Sequence, residues 1–283
     1  MKNYLIINEF YSSERFNKIY QALKNAFLAR GEDLEILTNV QATRLLNEEG
    51  NNQPILFFDK DVYLARLLQK SGYRCVNSPF VIEICDDKAK TYIELKGKFD
   101  QPKTILAPFS YDGVEPNGIY FLEEDLSSLG FPLIVKQNKG SFGQQVYLVN
   151  DISELQDLVN SFGHTQYLMQ RLITSSLGKD LRVYVVGGKA VAYALRYNEK
   201  DFRSNVGAGG KMKRTEVDKA YLETAVEVCN YLGADFAGVD LLFGENGPIV
   251  CEVNSNAHFL ELSKISGVDI AGCIVDYYLS LKK

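Results

Sequence analysis

Residues 236–258 read FAGVDLLFGENGPIVCEVNSNAH, two short apolar stretches separated by a turn signal. The stretches 236–243 and 248–253 predict two strands, and Asp240, Glu252 and Asn254 place polar side chains in them or directly after them. A carboxylate in an apolar strand is costly to bury unless something compensates its charge. Three oxygen-bearing side chains on neighbouring strands favour a hard cation, most readily Mg²⁺. The alternative is a half-exposed hairpin whose polar side chains lie in water.

The length of the turn tests the cation hypothesis. Glu252 and Asn254 are two residues apart, so they share one face of a strand. A two-residue turn at Asn246 and Gly247 would put Asp240 on the opposite face. A three-residue loop over 245–247 is a common hairpin type, and it pairs Asp240 directly with Glu252. The cation hypothesis therefore predicts the three-residue loop.

The composition is that of an ordinary globular protein. The 283 residues are 46% hydrophobic and 24% charged, with a net charge of −5. The chain has no long Lys/Arg run, so nothing in its charge supports binding to nucleic acid or to an anionic membrane. The five cysteines are scattered without CxxC spacing, and the first apolar run is too short for a signal peptide. We therefore expect a cytoplasmic protein with reduced cysteines.

The first 84 residues predict a small α/β unit. Apolar strands at 2–8, 33–37, 54–58 and 74–76 alternate with helical patterns at 13–30 and 61–71. Short joints between strands and helices imply a parallel, doubly wound sheet. The GxGxxG fingerprint of dinucleotide-binding folds is absent from this sequence.

From about residue 100 the strands come in hairpin pairs, which predicts an α+β region with antiparallel sheets. One hairpin carries Lys136 and the loop NKGSFGQQ, in which Gly140 and Ser141 let backbone N–H groups approach an anion. The segment DFRSNVGAGGK, residues 201–211, places Arg203 beside glycines and also suits phosphate. An ordinary flexible turn and a plain linker are the alternatives for these two loops.

Six segments together resemble the RimK-like (glutamate ligase) branch of the ATP-grasp ligases. They are VNSPFVIEICDDK, FPLIVKQNKGSFGQQV, DLRVYVVGGKAVAYALR, DFRSNVGAGG, AGVDLLFGENGPIVCEVNSN and GVDIAG. The resemblance is clear from about residue 76 to 281 and looser before that. It implies an N-terminal α/β domain (1–84), followed by two ATP-grasp subdomains (85–163 and 164–283) with antiparallel sheets that hold ATP between them.

The resemblance also implies roles for individual residues. Contacts to ATP phosphates are expected from Lys88 and Lys136, with Gly140 and Ser141 in the closing loop. Gln170, Arg171 and Leu172 match the hinge segment at the adenine, and Asp180 matches a nucleotide-site acid. Arg203, Ser204 and Asn205 match a phosphate segment in which Arg203 is the expected catalytic residue. Asp240, Glu252 and Asn254 match the ligands of two Mg²⁺ (or Mn²⁺) ions.

The implied reaction is formation of an amide bond between a carboxylate and an amino-acid amine, through an acylphosphate. The carboxylate could belong to a small molecule or to a peptide, glutamate is the leading amine, and homo-oligomers are common in the family. A nucleotide-binding regulator without ligase activity and a kinase-like enzyme that phosphorylates a hydroxyl are the alternatives.

Two positions depart from the family pattern. Arg171 stands where an acidic hinge residue is usual, and the segment 255–258 replaces the usual small residues and Pro-Gly. This second segment lies where the acceptor would enter. We interpret His258 as a solvated loop residue, with deprotonation of the amine as the alternative.

Overall fold

The computed structural model describes residues 2–11, 13–111, 123–141 and 143–282. Its first unit is a parallel sheet in the order β2-β1-β3-β4, as the alternating pattern predicts. The strands are β1 (Asn3–Ile7), β2 (Leu34–Thr38), β3 (Pro54–Phe57) and β4 (Arg74–Val76). The helices are α1 (Glu14–Leu28), α2 (Asn39–Ala42) and α3 (Val62–Lys70), and a 3₁₀ segment covers Thr43–Asn47.

A second sheet is antiparallel, in the order β5-β8-β6-β7. Its strands are β5 (Thr104–Leu106), β6 (Leu133–Gln137), β7 (Val146–Val149) and β8 (Tyr167–Arg171). The helices before and around it are α4 (Pro79–Cys85), α5 (Lys88–Leu95), α6 (Glu123–Leu129) and α7 (Ile152–Phe162). The segment 110–118, which is rich in turn-forming residues, lies mostly outside the described residues. The division of the chain at 84 and 163 stays a prediction.

The third sheet is antiparallel, in the order β11-β10-β9-β12-β13. Its strands are β9 (Lys179–Val186), β10 (Lys189–Tyr197), β11 (Lys211–Lys213), β12 (Phe236–Gly244) and β13 (Gly247–Asn254). The helices α8 (Lys219–Leu232), α9 (Leu260–Ser266) and α10 (Ile270–Ser280) pack on it, and 3₁₀ turns cover Thr174–Ser176 and Val206–Ala208. No helix within the described ranges has the length and apolar character needed to cross a bilayer.

One apolar core joins the first unit to the third sheet. Leu23 and Phe27 of α1 pack in the same cluster as Tyr184, Phe236 and residues of α10. The second sheet has a separate core with α7. Because close-packed side chains resist displacement, the first and third sheets form one base.

The hairpin of β12 and β13 pairs Asp240 with Glu252, as the cation hypothesis requires, but the predicted loop is wrong. Gly244 pairs with Gly247, so the turn has only two residues. The pairing slips between Asp240 and Leu241, where an extra residue, Cys251, bulges from β13. A bulge sets two residues of one strand against one residue of its partner. It supplies the one-residue shift that we had assigned to the loop.

Candidate active site

A cleft between the second and third sheets contains most of the predicted site. Its walls include all but one of the predicted residues, namely Lys88, Lys136, Gly140, Ser141, Gln170, Arg171, Leu172, Asp180, Arg203, Ser204, Asn205, Asp240 and Glu252. Asn254, the exception, lines a neighbouring cavity. The fold therefore brings together side chains that are distant in the sequence.

Two lysines lie at the same end of the cleft. Lys136 is buried on β6, with its Nζ 3.6 Å from Cys251 Sγ. Lys88 opens α5, and its Nζ donates to the carbonyl of Gly140 at 3.1 Å and lies 4.0 Å from Glu252 Oε1. Burial lowers the pKa of Lys88, and Glu252 offsets only part of that shift. Two poorly solvated cations at one place favour an anionic ligand between them.

The glycine loop packs directly on the segment 203–205. Gly143 has φ +74°, and a Cβ added there would lie 2.8 Å from Asn205 Oδ1. Arg203 Nη1 donates to the carbonyl of Gly143 at 2.9 Å. Asp201 accepts from the same guanidinium, at 3.0 Å from Nε and 2.7 Å from Nη2. Arg203 thus fastens the loop to the third sheet in this conformation.

The predicted hinge follows the edge of the second sheet. Gln170 is buried on β8, and its Nε2 donates to Thr104 Oγ1 at 3.0 Å. The Arg171 side chain is exposed, and its Nη2 donates to the carbonyl of Ser128 at 2.6 Å. Arg171, the residue that departs from the family pattern, therefore links the hinge to α6.

A buried ion network forms the floor of the cleft. Arg182 of β9 lies opposite Asp240, and Arg196 of β10 lies opposite Asp180. Asp240 is 1% exposed and accepts from Arg182 Nε, from Arg182 Nη2 at 2.7 Å and from Arg196 Nη2 at 2.8 Å. Asp180 accepts two bonds of 2.6 Å from Arg196 and one from Ser204 Oγ.

This network keeps Asp240 ionised. Burial alone would raise the pKa of Asp240, but Arg182 and Arg196 hold that pKa below the usual range of a carboxyl. Asp240 and Asp180 share Arg196, so the metal candidate and the nucleotide-site candidate are coupled through one guanidinium.

The second cavity is larger, about 990 Å³, and lies between the first unit and the third sheet. The first unit contributes α1 and the loops after β1 and β3, and the third sheet contributes the segment 254–261. Ser141, Arg196, Asn205 and Glu252 line both the cleft and this cavity. The two spaces therefore adjoin at the lysine end of the cleft.

A family model described as "RimK-like ATP-grasp domain" matches residues 85–278. The chain belongs to the RimK-like ATP-grasp family. It is 36% identical over 232 residues to N-acetylaspartylglutamate synthase A of Homo sapiens, covering 81% of this chain and 58% of that protein. It is 37% identical over 227 residues to beta-citrylglutamate synthase B of Mus musculus, covering 79% and 57%. The chain thus spans little more than half the length of these relatives.

The fold is shared more widely. D-alanine–D-alanine ligase from Bacillus anthracis, in its complex with ATP, superposes with a TM-score of 0.75 at 19% identity, covering 99% of this chain and 97% of that one. The sequence prediction of an ATP-grasp fold with an α/β N-terminal unit is therefore confirmed.

The donor set of this ATP-grasp hairpin suits a hard cation. Asp240 Oδ1 accepts one of the three bonds to that carboxylate, so a lone pair remains on it. Asn254 Nδ2 is buried without a hydrogen-bond partner among the described residues, and a half-turn of this amide would put its oxygen in the same place. Within the described ranges, no group of three or more Asp, Glu, His or Cys side chains is placed to hold a metal ion. A cation here would need the amide oxygen of Asn254 and oxygens of a bound ligand.

His258 is not a solvated loop residue, and that interpretation is wrong. The imidazole is half-buried, and its ring centroid lies 4.7 Å from that of Phe16 in α1. Burial, with Arg15 and Arg182 nearby, lowers the pKa of His258 to about 4. A neutral imidazole therefore lines the second cavity near neutral pH. Deprotonation of an amine by His258 stays a hypothesis.

Sequence analysis missed three charged residues of this site: Arg182, Arg196 and Asp201. A signal existed for Arg182, because it lies two residues after Asp180 in an apolar strand and so shares its face. Arg196 could be found only from the register of β9 and β10, which pairs it with Asp180.

Proposed function

We propose that this chain is an ATP-dependent carboxylate–amine ligase that forms an amide bond through an acylphosphate. The observation that carries the proposal is the junction of the two cavities at Ser141, Arg196, Asn205 and Glu252. A phosphate group held at the lysine end of the cleft would face a carboxylate held in the larger cavity. Phosphoryl transfer depends mainly on such positioning and on cations around the transferred group.

The cleft would take the nucleotide. Lys88 and Lys136 would neutralise phosphate oxygens, and the glycine loop at 140–143 would close over them while Arg203 holds Gly143. Gln170 to Leu172 would meet the base at the other end. Bound at Asp240, Glu252 and Asn254, Mg²⁺ would supply charge neutralisation on the phosphates. We extend the proposal to two ions, because the resemblance to the ATP-grasp ligases implies a pair.

The carboxylate must be activated before an amide can form. An amine does not displace oxide from a carboxylate, so the oxygen must first become a good leaving group. A carboxylate oxygen attacks the γ-phosphorus of ATP, the bond from that phosphorus to the bridging oxygen breaks, and ADP leaves. The amine lone pair then attacks the acyl carbon, the C–O bond to phosphate breaks, and the ammonium proton is lost. Excluding water from the end of the first step until the amine attacks protects the acylphosphate from hydrolysis.

Two arginines would share the developing charge. Arg203 contacts the glycine loop and would approach the transferred phosphoryl group when the loop closes. Arg182 lines the second cavity and holds Asp240, so its cation lies between the metal candidate and the acceptor. Fixed cations at this position would stabilise the oxyanion formed when the amine attacks.

The substrates we propose are a carboxylate acceptor, on a small molecule or on a peptide, and an amino acid, with glutamate first. The names of the two relatives above support this choice, since both contain a glutamate conjugate. The volume of the second cavity is at the upper end of ordinary ligand pockets and has room for two small substrates.

The deciding experiment measures ADP release with Mg²⁺-ATP across a matrix of carboxylic acids and amino acids, singly and in pairs. The expected result is turnover that requires one acid and one amine together. Glu252→Gln should lower that turnover on the order of 100-fold or more, because it removes a carboxylate shared by both cavities. Glu245→Gln is the matched control, since Glu245 lies exposed in the turn of the same hairpin.

Three other outcomes would contradict the proposal. ATP binding without turnover across the matrix, with peptide acceptors included, would favour the regulatory alternative. A stable phosphorylated product formed without an amine would favour the kinase-like alternative. Equal turnover in Glu252→Gln and Glu245→Gln would remove the proposed metal site.

A further inference from the structure

The fully buried side chain of Asn77 lies directly after β4, at the junction between the first unit and the third sheet. Its Oδ1 accepts from the backbone N–H groups of Asp235 at 2.7 Å and Phe236 at 3.2 Å. Its Nδ2 donates to the carbonyl of Phe236 at 2.8 Å and to the carbonyl of Ser255 at 3.2 Å. Both donors and both acceptor positions of the amide are used.

These four hydrogen bonds involve residues at both ends of the metal hairpin, the hairpin of β12 and β13 that carries the proposed metal ligands. Asp235 and Phe236 lead into β12, which carries Asp240. Ser255 directly follows Asn254 at the end of β13 and begins the turn toward the second cavity. Asn77 is therefore the one group among the described hydrogen bonds that joins the start of β12, the end of β13 and the first unit.

We infer that Asn77 is a positioning residue for the metal ligands, and that it sets the place of Asn254 through the Ser255 carbonyl. This inference rests on the proposed function, because it takes Asp240, Glu252 and Asn254 as the ligands. Metal sites depend on groups beyond the ligands that fix ligand orientation, and loss of such a group typically costs about 10–100-fold in metal affinity or activity.

The test compares Asn77→Asp with wild type. A carboxylate keeps the acceptors for the N–H groups of Asp235 and Phe236 but, when ionised, cannot donate to the carbonyls of Phe236 and Ser255, so it removes the link to the segment that follows Asn254. Asn77→Ser is a second variant, in case the new carboxyl prevents folding. Tyr278→Phe is the matched control: its buried hydroxyl donates to the Pro54 carbonyl at 2.6 Å and also joins the first unit to the C-terminal region, away from the metal hairpin.

Mn²⁺ binding is measured by electron paramagnetic resonance with a non-hydrolysable ATP analogue, beside the melting temperature and the metal-free affinity for the analogue. The expected result is about a 10-fold loss of Mn²⁺ affinity in a folded Asn77 variant, with metal-free nucleotide affinity unchanged. Tyr278→Phe should lower the melting temperature without changing Mn²⁺ affinity.

Two results separate this inference from the proposed function. Wild-type Mn²⁺ affinity in the folded Asn77 variants, or an equal loss in Tyr278→Phe, would overturn the positioning role alone. Mn²⁺ affinity that Glu252→Gln leaves unchanged would instead overturn the proposed metal site.

Discussion

The cleft and the second cavity are built in different ways. The floor of the cleft is a buried network in which Asp240, Asp180 and two arginines satisfy one another. The wall of the second cavity includes exposed or half-buried side chains of α1, such as Arg15 and Phe16, and the half-buried His258. The charged groups of this network are therefore part of the folded core, whereas those that α1 adds to the second cavity can change at little cost to the fold. Such a division suits a protein that keeps one chemistry and varies its acceptor.

The sharpest test of this contrast is to remove one arginine from the buried network and one from the α1 wall of the second cavity. Arg196→Met removes a buried cation that pairs with both Asp180 and Asp240. We expect a loss of about 3 kcal/mol in the free energy of unfolding. Arg15→Met, on the exposed first turn of α1, should change it by no more than about 0.5 kcal/mol. Urea unfolding followed by circular dichroism measures both. Similar losses in the two variants would show that the second cavity is as much a part of the core as the cleft.

A smaller effect is expected from the glycine loop. Gly143→Ala adds the strain of a positive φ and pushes on Asn205, so we expect affinity for an ATP analogue to fall about 10-fold. Gly163→Ala is the matched control, because Gly163 also has a positive φ but nothing lies within 4 Å of an added Cβ. Calorimetric titration measures the affinities. An equal fall in both variants would assign the effect to general strain and not to the loop contact.

A third effect, comparable in size, is a pH dependence that belongs to the second cavity. The pKa of His258 is lowered to about 4 in the folded protein, so protons bind the unfolded chain first as the pH falls below about 6.5. This residue therefore destabilises the protein as the pH falls from about 6.5 to 4, by roughly 1–2 kcal/mol after discounting for its partial exposure.

His258→Gln should flatten this part of the stability profile and leave stability at pH 7.5 little changed. Urea unfolding at a series of pH values measures it. Parallel profiles for wild type and variant would mean that the imidazole takes its proton as readily in the folded chain as in the unfolded one.

The same division explains what could be predicted from the sequence. Most residues of the cleft could be predicted from motifs, because Lys136, Arg203 and the pair of Asp240 and Glu252 lie in local segments with a recognisable pattern. Arg196 and Asn77 were missed as site residues, because their roles arise from strands and loops that meet only after folding. His258 was misread because a polar residue in a loop is usually solvated, and only the packing of α1 shows that this one is not.

Elements were predicted in the same uneven way. The apolar strands β12 and β13, predicted at 236–243 and 248–253, lie close to their observed bounds, since their patterns extend over many residues. The short helices α2, α4, α6 and α9 were not predicted, because each has only four to seven residues in which to show a period.

The bulge at Cys251 separates two properties that a hairpin usually couples. In most hairpins the length of the turn fixes which side chains share a face, so an insertion at the tip disturbs everything beyond it. Here the bulge at Cys251, next to the site, sets Glu252 and Asn254 on the same face as Asp240. The tip at Glu245 and Asn246 is exposed. The tip is therefore a place where a peptide tag or a fluorophore could be inserted without changing which residue of β13 pairs with Asp240.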